Sequence, residues 1–437
     1  MSSTLLKNCR ILDVRAGSVL TGMAILLNGE TIARVAPDPE LRREAGKFKD
    51  CEVRDLDGGL VMPGLIDTHV HLCIVREEDE AATLRGNLKA PETLKVLYGA
   101  KHARATLAAG ITTVRDMGQG DNLALREAVA RGLVPGPRVV ACGWLGSTAG
   151  HGERMASEWA FGTELRQWDK GVDGPYEIRR RVRQLIGQGV DYIKTYATSD
   201  GYAPHPFYPY FRECINYTME ELSALCDEAH AAGRRVAAQG LTAPAGVGNA
   251  LRAGIDTLEH GLVIDNDDLG FMRDHGVFYV PTLAVTKAMW DVGSEKEMKF
   301  LRLEPGEPAR LLESQLDSFR RAREMGVRIA FGSDAFRVLA HGRNLIELEL
   351  RVKAGMTVME ALISATRVSA EALGLEGSVG QVAEGKQADL VVVDPDVLSD
   401  ISLLTRSGPA MVFKAGKRYD PRFLIRDMAS PSRTAEV

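Results

Sequence analysis

The run Val61-Met62-Pro63-Gly64-Leu65-Ile66-Asp67-Thr68-His69-Val70-His71-Leu72 decides how the rest of the chain is read. It opens on a Pro-Gly turn, passes through apolar Leu65-Ile66, and ends in polar residues. Side chains on a strand alternate between faces, so His69 and His71, two apart, project the same way. Two imidazoles on one side of a strand end can ligate one metal ion. Surface histidines also fall at this spacing by chance, so the pair alone leaves both readings open.

On the N-terminal side of this run, residues 5–12, 19–27 and 31–35 are strand-like, with Asn28-Gly29 expected as a hairpin turn. Residues 37–49 are polar and read as irregular or helical. Strand patterns return at 388–394 and 410–416. Two β-rich ends enclosing a long α/β middle suggest one small β-domain built from 1–63 and 376–437. Between 64 and 375, short apolar strands alternate with helical stretches. The strand candidates are 65–71, 112–116, 139–143, 192–196, 236–239, 257–260, 278–281 and 329–333. Helical periodicity covers 92–109, 176–188, 218–232, 309–325 and 358–373. Gly110, Gly189, Gly233, Gly254, Gly276 and Gly326 each stand between a helix and the next strand or its approach. Repeated helix–Gly–strand units point to parallel strands with crossover helices, and eight of them favour a (β/α)8 barrel.

Composition excludes several partners. The 437 residues are 45% apolar, and 54 basic residues face 59 acidic ones for a net charge of -5. No basic block suggests nucleic acid, and no apolar run approaches the roughly 20 residues needed to cross a bilayer. The first ten residues lack the apolar core of a secretory signal. The six cysteines are unclustered, which fits reduced thiols in a cytoplasmic protein.

In barrels of this kind functional residues lie at the C-terminal ends of strands. The first strand ends in His69 and His71. The fourth carries Lys194 inside an apolar run, where an ammonium is costly unless its charge is paired or removed. The fifth holds Gln239, the sixth ends at His260, and the eighth runs into Gly332-Ser333-Asp334. Asp334 could be a ligand or could merely cap the following turn. His151 lies in a glycine-flanked loop after the third strand, suited to close approach to a ligand. Arg343 could meet a substrate carboxylate or pair with Glu347, one helical turn on. Tyr202, Phe207, Tyr208, Tyr210 and Phe211, with Trp144 and Trp290, hint at an apolar substrate or a packed neighbouring subunit. His102, His230 and His275 read as structural.

Taken together, P-G-L-I-D-T-H-V-H-L, G-I-T-T-V-R-D-M-G, D-Y-I-K-T-Y, T-L-E-H-G and G-S-D-A resemble the amidohydrolase superfamily. The nearest likeness is to its prolidase-like and imidazolonepropionase-like branch. The resemblance spans nearly the whole chain. It implies a (β/α)8 barrel flanked by a split β-sandwich, and a metal-dependent hydrolase of a carbon–nitrogen bond in a small molecule. It further implies that His69, His71, His260 and Asp334 bind a divalent metal, zinc being expected, with one or two ions per chain. Lys194 matches the lysine that CO2 carboxylates to bridge two metals. Asp334 would act as the base on bound water, and His151 would stand near the substrate carbonyl. At Gln239 the sequence departs from the pattern, since related hydrolases carry a histidine ligand there. An amide oxygen is a poorer zinc ligand than imidazole. One tight metal, a weaker second metal and an engineered substitution are all compatible with that residue. So is a barrel that binds a small ligand without turning it over. A homo-oligomer is expected.

Overall fold

The computed structural model describes residues 3–45, 51–77, 83, 86–87, 89–118, 120–147, 171–198, 215–241, 244–292, 307–336 and 338–426. The N-terminal strands are β1 (Ser3–Asp13), β2 (Ser18–Asn28), β3 (Thr31–Pro37), β4 (Cys51–Asp55) and β5 (Leu60–Pro63). The barrel strands are β6 (Leu65–Val70), β7 (Ile111–Asp116), β8 (Arg138–Trp144), β9 (Tyr192–Tyr196), β10 (Arg235–Gly240), β11 (Thr257–His260) and β12 (Phe278–Val280). Towards the C-terminus follow β13 (Leu390–Val393), β14 (Met411–Lys414) and β15 (Lys417–Tyr419).

Strands β6 to β12 form a seven-stranded parallel sheet in sequence order. The expected eighth strand, 329–333, is present as a barrel position but not as a regular strand. Single parallel bridges, Tyr279 to Ile329 and Val70 to Ala335, join it to β12 on one side and β6 on the other. Its remaining donors go elsewhere: Phe331 N to Ser369 Oγ at 2.9 Å, and Ser333 N to Asp67 Oδ1 at 3.0 Å. Side chains thus satisfy backbone groups that a continuous ladder would have used. The result is a nearly closed barrel.

Both chain ends meet in one mixed sheet of eight strands, ordered β15-β14-β13-β5-β1-β2-β3, with β4 alongside β1. The join is antiparallel, from Leu390 against Pro63 to Val393 against Leu60. Residues of β5 are fully buried, so this pairing lies inside the protein. The hairpin between β2 and β3 turns one residue later than Asn28-Gly29, because Asn28 still pairs with Thr31. Gly29 takes the first central position at φ 57°, where glycine carries no Cβ penalty.

All six glycines expected between helix and strand adopt positive φ, among them Gly276 at 70° as a left-handed helix cap. The polar stretch after β3 contains a helix, Asp38–Ala45. The helix expected over 358–373 is interrupted. A π-turn at Ser364–Val368 separates Val358–Ile363 from Ser369–Leu373. The extra residue in that turn accompanies a chain of contacts in which Ser369 Oγ donates to Ser364 O at 2.7 Å and accepts from Phe331 N. Among the described residues no helix is long and apolar enough to cross a membrane.

Gly332 sets the closing distance at the eighth position. A Cβ there would collide with Val280 Cγ1 and lie 2.9 Å from His69 Cβ. Gly332→Ala is expected to cost about 1–3 kcal/mol through overpacking. Thermal melting of purified protein should show the midpoint falling by several degrees.

Candidate functional site

The strand ends bring His69, His71 and Asp334 together, with one donor atom from each lying within 4.8 Å of the others. His69 Nε2 is 3.6 Å and His71 Nε2 is 3.4 Å from Asp334 Oδ1. Each ring's other nitrogen is already committed. His69 Nδ1 donates to Glu259 Oε2 at 2.7 Å, and His71 Nδ1 to the Gly118 carbonyl at 3.1 Å. Those contacts fix both tautomers and leave the two Nε2 lone pairs facing Asp334, an arrangement suited to metal ligation. Burial, followed by the charges of Lys194 and His71, drives His69 well below the usual imidazole range. The ring is therefore neutral, as a ligand must be.

His260 stands beside this trio. Its ring centroid is 4.8 Å from that of His69, and its Nδ1 is 4.0 Å from Asp334 Oδ2. The same nitrogen shares a 2.8 Å hydrogen bond with Thr282 Oγ1. Lys194 is 1% exposed, and its Nζ has no hydrogen-bond partner among the described residues. Burial pulls it down to about 8 against the opposing pull of the Glu259 and Asp334 carboxylates. Gln239 is also buried, and its Nε2 has no partner among the described residues. It lies on β10 in register with Tyr196 and Glu259. The cluster thus contains three imidazoles and the Asp334 carboxylate, with two buried nitrogens nearby that have no acceptor among the described residues.

Three site residues hold left-handed backbone: His260 at φ 69°, Thr282 at 52° and Asp334 at 54°. For a β-branched threonine this is a true outlier, and each such residue costs about 1–3 kcal/mol. The surroundings enforce it. Tyr279 Oη donates to the carbonyls of His260 and Gly261 at 3.1 and 2.9 Å, and Gln315 Nε2 donates to those of His260 and Pro281. Asp334 N is tied to His69 O at 2.8 Å.

Sequence reasoning passed over the support beneath His69. Glu259 and Arg115 are both fully buried, and Arg115 donates to Glu259 Oε1 at 2.6 Å. Arg115 also donates to Thr68 O at 2.6 Å and Thr257 Oγ1 at 3.0 Å. An arginine within an apolar strand and a glutamate beside His260 were the available signals, since two such buried charges must find each other. Asp67 was missed as well. It accepts from His69 N, Ser333 N, Ser333 Oγ and Asn344 Nδ2. Burial pushes it up to about 6 despite those bonds.

Other expectations divide. Arg343 is exposed, and Glu347 is not its partner, being buried against Arg351 at 2.9 Å and the Ala284 N–H. Trp144 lies at the barrel mouth, donating its Nε1–H to Tyr196 Oη. His151 and the aromatic loop Tyr202, Phe207, Tyr208, Tyr210 and Phe211 lie outside the described residues, as does the side chain of Trp290.

The alignment profile described as the amidohydrolase family matches residues 60–419. The ochratoxinase of Aspergillus niger is 28% identical over 424 residues, covering 92% of this chain and 84% of that protein. The imidazolonepropionase of Symbiobacterium thermophilum is 25% identical over 401 residues, covering 87% and 85%. The crystal structure of a Xaa-Pro dipeptidase with methionine in its active site superposes at a TM-score of 0.81 and 29% identity. That match covers 96% of this chain and all 100% of the other.

Glu259→Gln would leave the Arg115 guanidinium buried without its counter-charge, a loss of about 3–5 kcal/mol. Adding Arg115→Met should recover part of it, because the orphaned charge is gone. Denaturation midpoints of the single and double variants check both expectations.

Proposed function

The chain belongs to the amidohydrolase family, in its prolidase-like and imidazolonepropionase-like branch, and on that premise we propose a zinc-dependent hydrolase of a small amide. It is an enzyme of amide-bond hydrolysis; the metal, the residue roles and the substrate are the proposal. The observation that carries the metal is the convergence of His69 Nε2 and His71 Nε2 on Asp334 Oδ1 at 3.6 and 3.4 Å. Imidazole and carboxylate donors suit zinc. The Lys194 nitrogen, buried without a hydrogen-bond partner among the described residues, fits the same reading: once deprotonated it would attack CO2, form an N–C bond and release a proton. The carbamate so formed is an anion that would complete the ligand set with His69, His71, His260 and Asp334.

A divalent ion held there would supply Lewis acidity, making hydroxide available near neutral pH. The Asp334 carboxylate would take a proton from the attacking water and pass it to the departing nitrogen. His69 and His71 would offer their Nε2 lone pairs to such an ion, since Glu259 and the Gly118 carbonyl accept at their Nδ1 atoms. We assign His151 to the developing oxyanion on the substrate carbonyl. The relative named a Xaa-Pro dipeptidase supports a dipeptide-like amide as substrate. We also read the terminal sheet, 1–63 with 376–437, as the split β-sandwich that accompanies such barrels, and 64–375 as the hydrolase domain.

Chelator-treated protein should lose turnover of N-acyl amino acids and dipeptides and regain it with zinc. Asp334→Asn should retain metal yet lose at least about 100-fold in rate, within the range of a positioned proton-transfer group. Lys194→Ala should lose activity that short carboxylic acids partly restore by standing in for the carbamate. Full turnover by metal-free Asp334→Asn protein would remove the assignment.

Gln239 makes the second metal position the weaker one, because its amide oxygen is a poorer donor than imidazole. Gln239→His should raise metal per chain, measured by elemental analysis of protein dialysed at limiting zinc, and turnover with it. Two equally tight ions already present in the Gln239 protein would contradict this ranking.

A further inference from the structure

Two buried histidines outside the ligand cluster grip the chain where it leaves β6. His102 comes from the helix Glu92–Ala108, and His341 follows the eighth barrel position. Their rings stack with centroids 4.6 Å apart and 20° between planes. His341 Nε2 donates to the His71 carbonyl at 3.0 Å, and His102 Nδ1 to the Leu72 carbonyl at 2.8 Å. A carbonyl only accepts, so each ring must carry a proton on the nitrogen that faces the backbone. The other His341 nitrogen meets Thr106 Oγ1 at 3.2 Å.

The amides of the same two residues are committed too. His71 N donates to Ala335 O at 3.1 Å, and Leu72 N to Asp116 Oδ2 at 3.1 Å. Every backbone polar atom of His71 and Leu72 therefore has a partner, and the partners come from separate parts of the fold. The short run after the eighth position reaches the other end of β6 as well. Asn344 Nδ2 donates to Asp67 Oδ2 at 2.9 Å, and Gly342, at φ 91°, lets the run lie against Ala105. One four-residue segment thus holds β6 by Asp67 and by His71, two residues on either side of His69.

We propose that His341 and His102 are a positioning pair for the metal centre. They fix the peptide planes that follow His71, and so aim its Nε2 at Asp334, without touching substrate or reacting atoms. Packing alone would be served equally by two apolar side chains. Here both rings instead spend a donor on consecutive carbonyls, the first belonging to a ligand. The inference rests on the zinc reading above.

Zinc affinity, measured by competition with a chromophoric chelator, tests it alongside melting of the metal-free proteins. His341→Leu removes the donor at similar volume and should weaken zinc binding about 10- to 100-fold, the range for a lost outer partner of a metal ligand. His341→Gln, which keeps an N–H within reach of the His71 carbonyl, should restore most of that affinity. His102→Leu should show a smaller loss, acting one residue further on. A His341→Leu protein that melts lower without metal but binds zinc as tightly as the parent would overturn the proposal. If that variant does not fold, Thr106→Val removes only the hydroxyl against His341: weakened zinc binding at unchanged melting supports the pair, and unchanged affinity overturns it. A parent protein that binds no zinc at all overturns the metal reading and this inference with it. Zinc binding by the parent with no change in these variants overturns this inference alone.

Discussion

A fully buried carboxylate, Glu259, sits between a guanidinium and an imidazole, and much of the barrel depends on that arrangement. Arg115 supplies the counter-charge to Glu259 in the barrel interior, 2.6 Å away. His69 keeps its proton on Nδ1 because Glu259 accepts it there. Arg115 reaches from β7 to Thr68 on β6 and to Thr257 and Glu259 on β11, so one side chain ties distant strands across the barrel interior. Its guanidinium also lies 4.6 Å from the centre of the Tyr192 ring on β9. The electrostatic need of the site and the mechanical bracing of the barrel are met by the same atoms.

Much of this was legible in the sequence where local chemistry and periodicity coincide. The six glycines between helices and strands mark left-handed turns that other residues enter only under strain. His69 and His71 share a face because strand geometry requires it, and Lys194 stood out as a cation inside an apolar strand. Other features depend on contacts between residues far apart in the chain. The pattern at 329–333 is that of a strand, but Ser369 and Asp67 take hydrogen bonds that a ladder would otherwise form. The π-turn in the helix beyond has no composition signal, because its register follows from where Ser364 and Ser369 must reach. Arg343 and Glu347 have the spacing of a helical ion pair, yet Arg351 has the same spacing on the other side and occupies Glu347.

The left-handed conformations at His260, Thr282 and Asp334 belong to the same illegible class. Nothing about a histidine, a threonine or an aspartate announces such a φ. At His260 and Thr282 it accompanies the hold of Tyr279 and Gln315 on the His260, Gly261 and Pro281 carbonyls, and at Asp334 the bond from its N–H to His69 O. The effect is to swing side chains inward at the points where β11, β12 and the eighth position end. A regular strand would carry them along the barrel wall instead. Backbone strain is therefore concentrated at the candidate site.

The antiparallel join of β5 to β13 also bears on how the protein is made. Leu60–Pro63 leave the ribosome long before Leu390–Val393 are synthesised. At about 5–20 residues per second, translation leaves that apolar edge waiting for roughly 15–65 s. The sheet beside the barrel is finished only when β13, β14 and β15 have emerged. A nascent chain of this protein thus carries an open strand edge while the barrel between β5 and β13 is made. That edge is a natural place for a chaperone to hold, and for two unfinished copies on one message to pair by mistake.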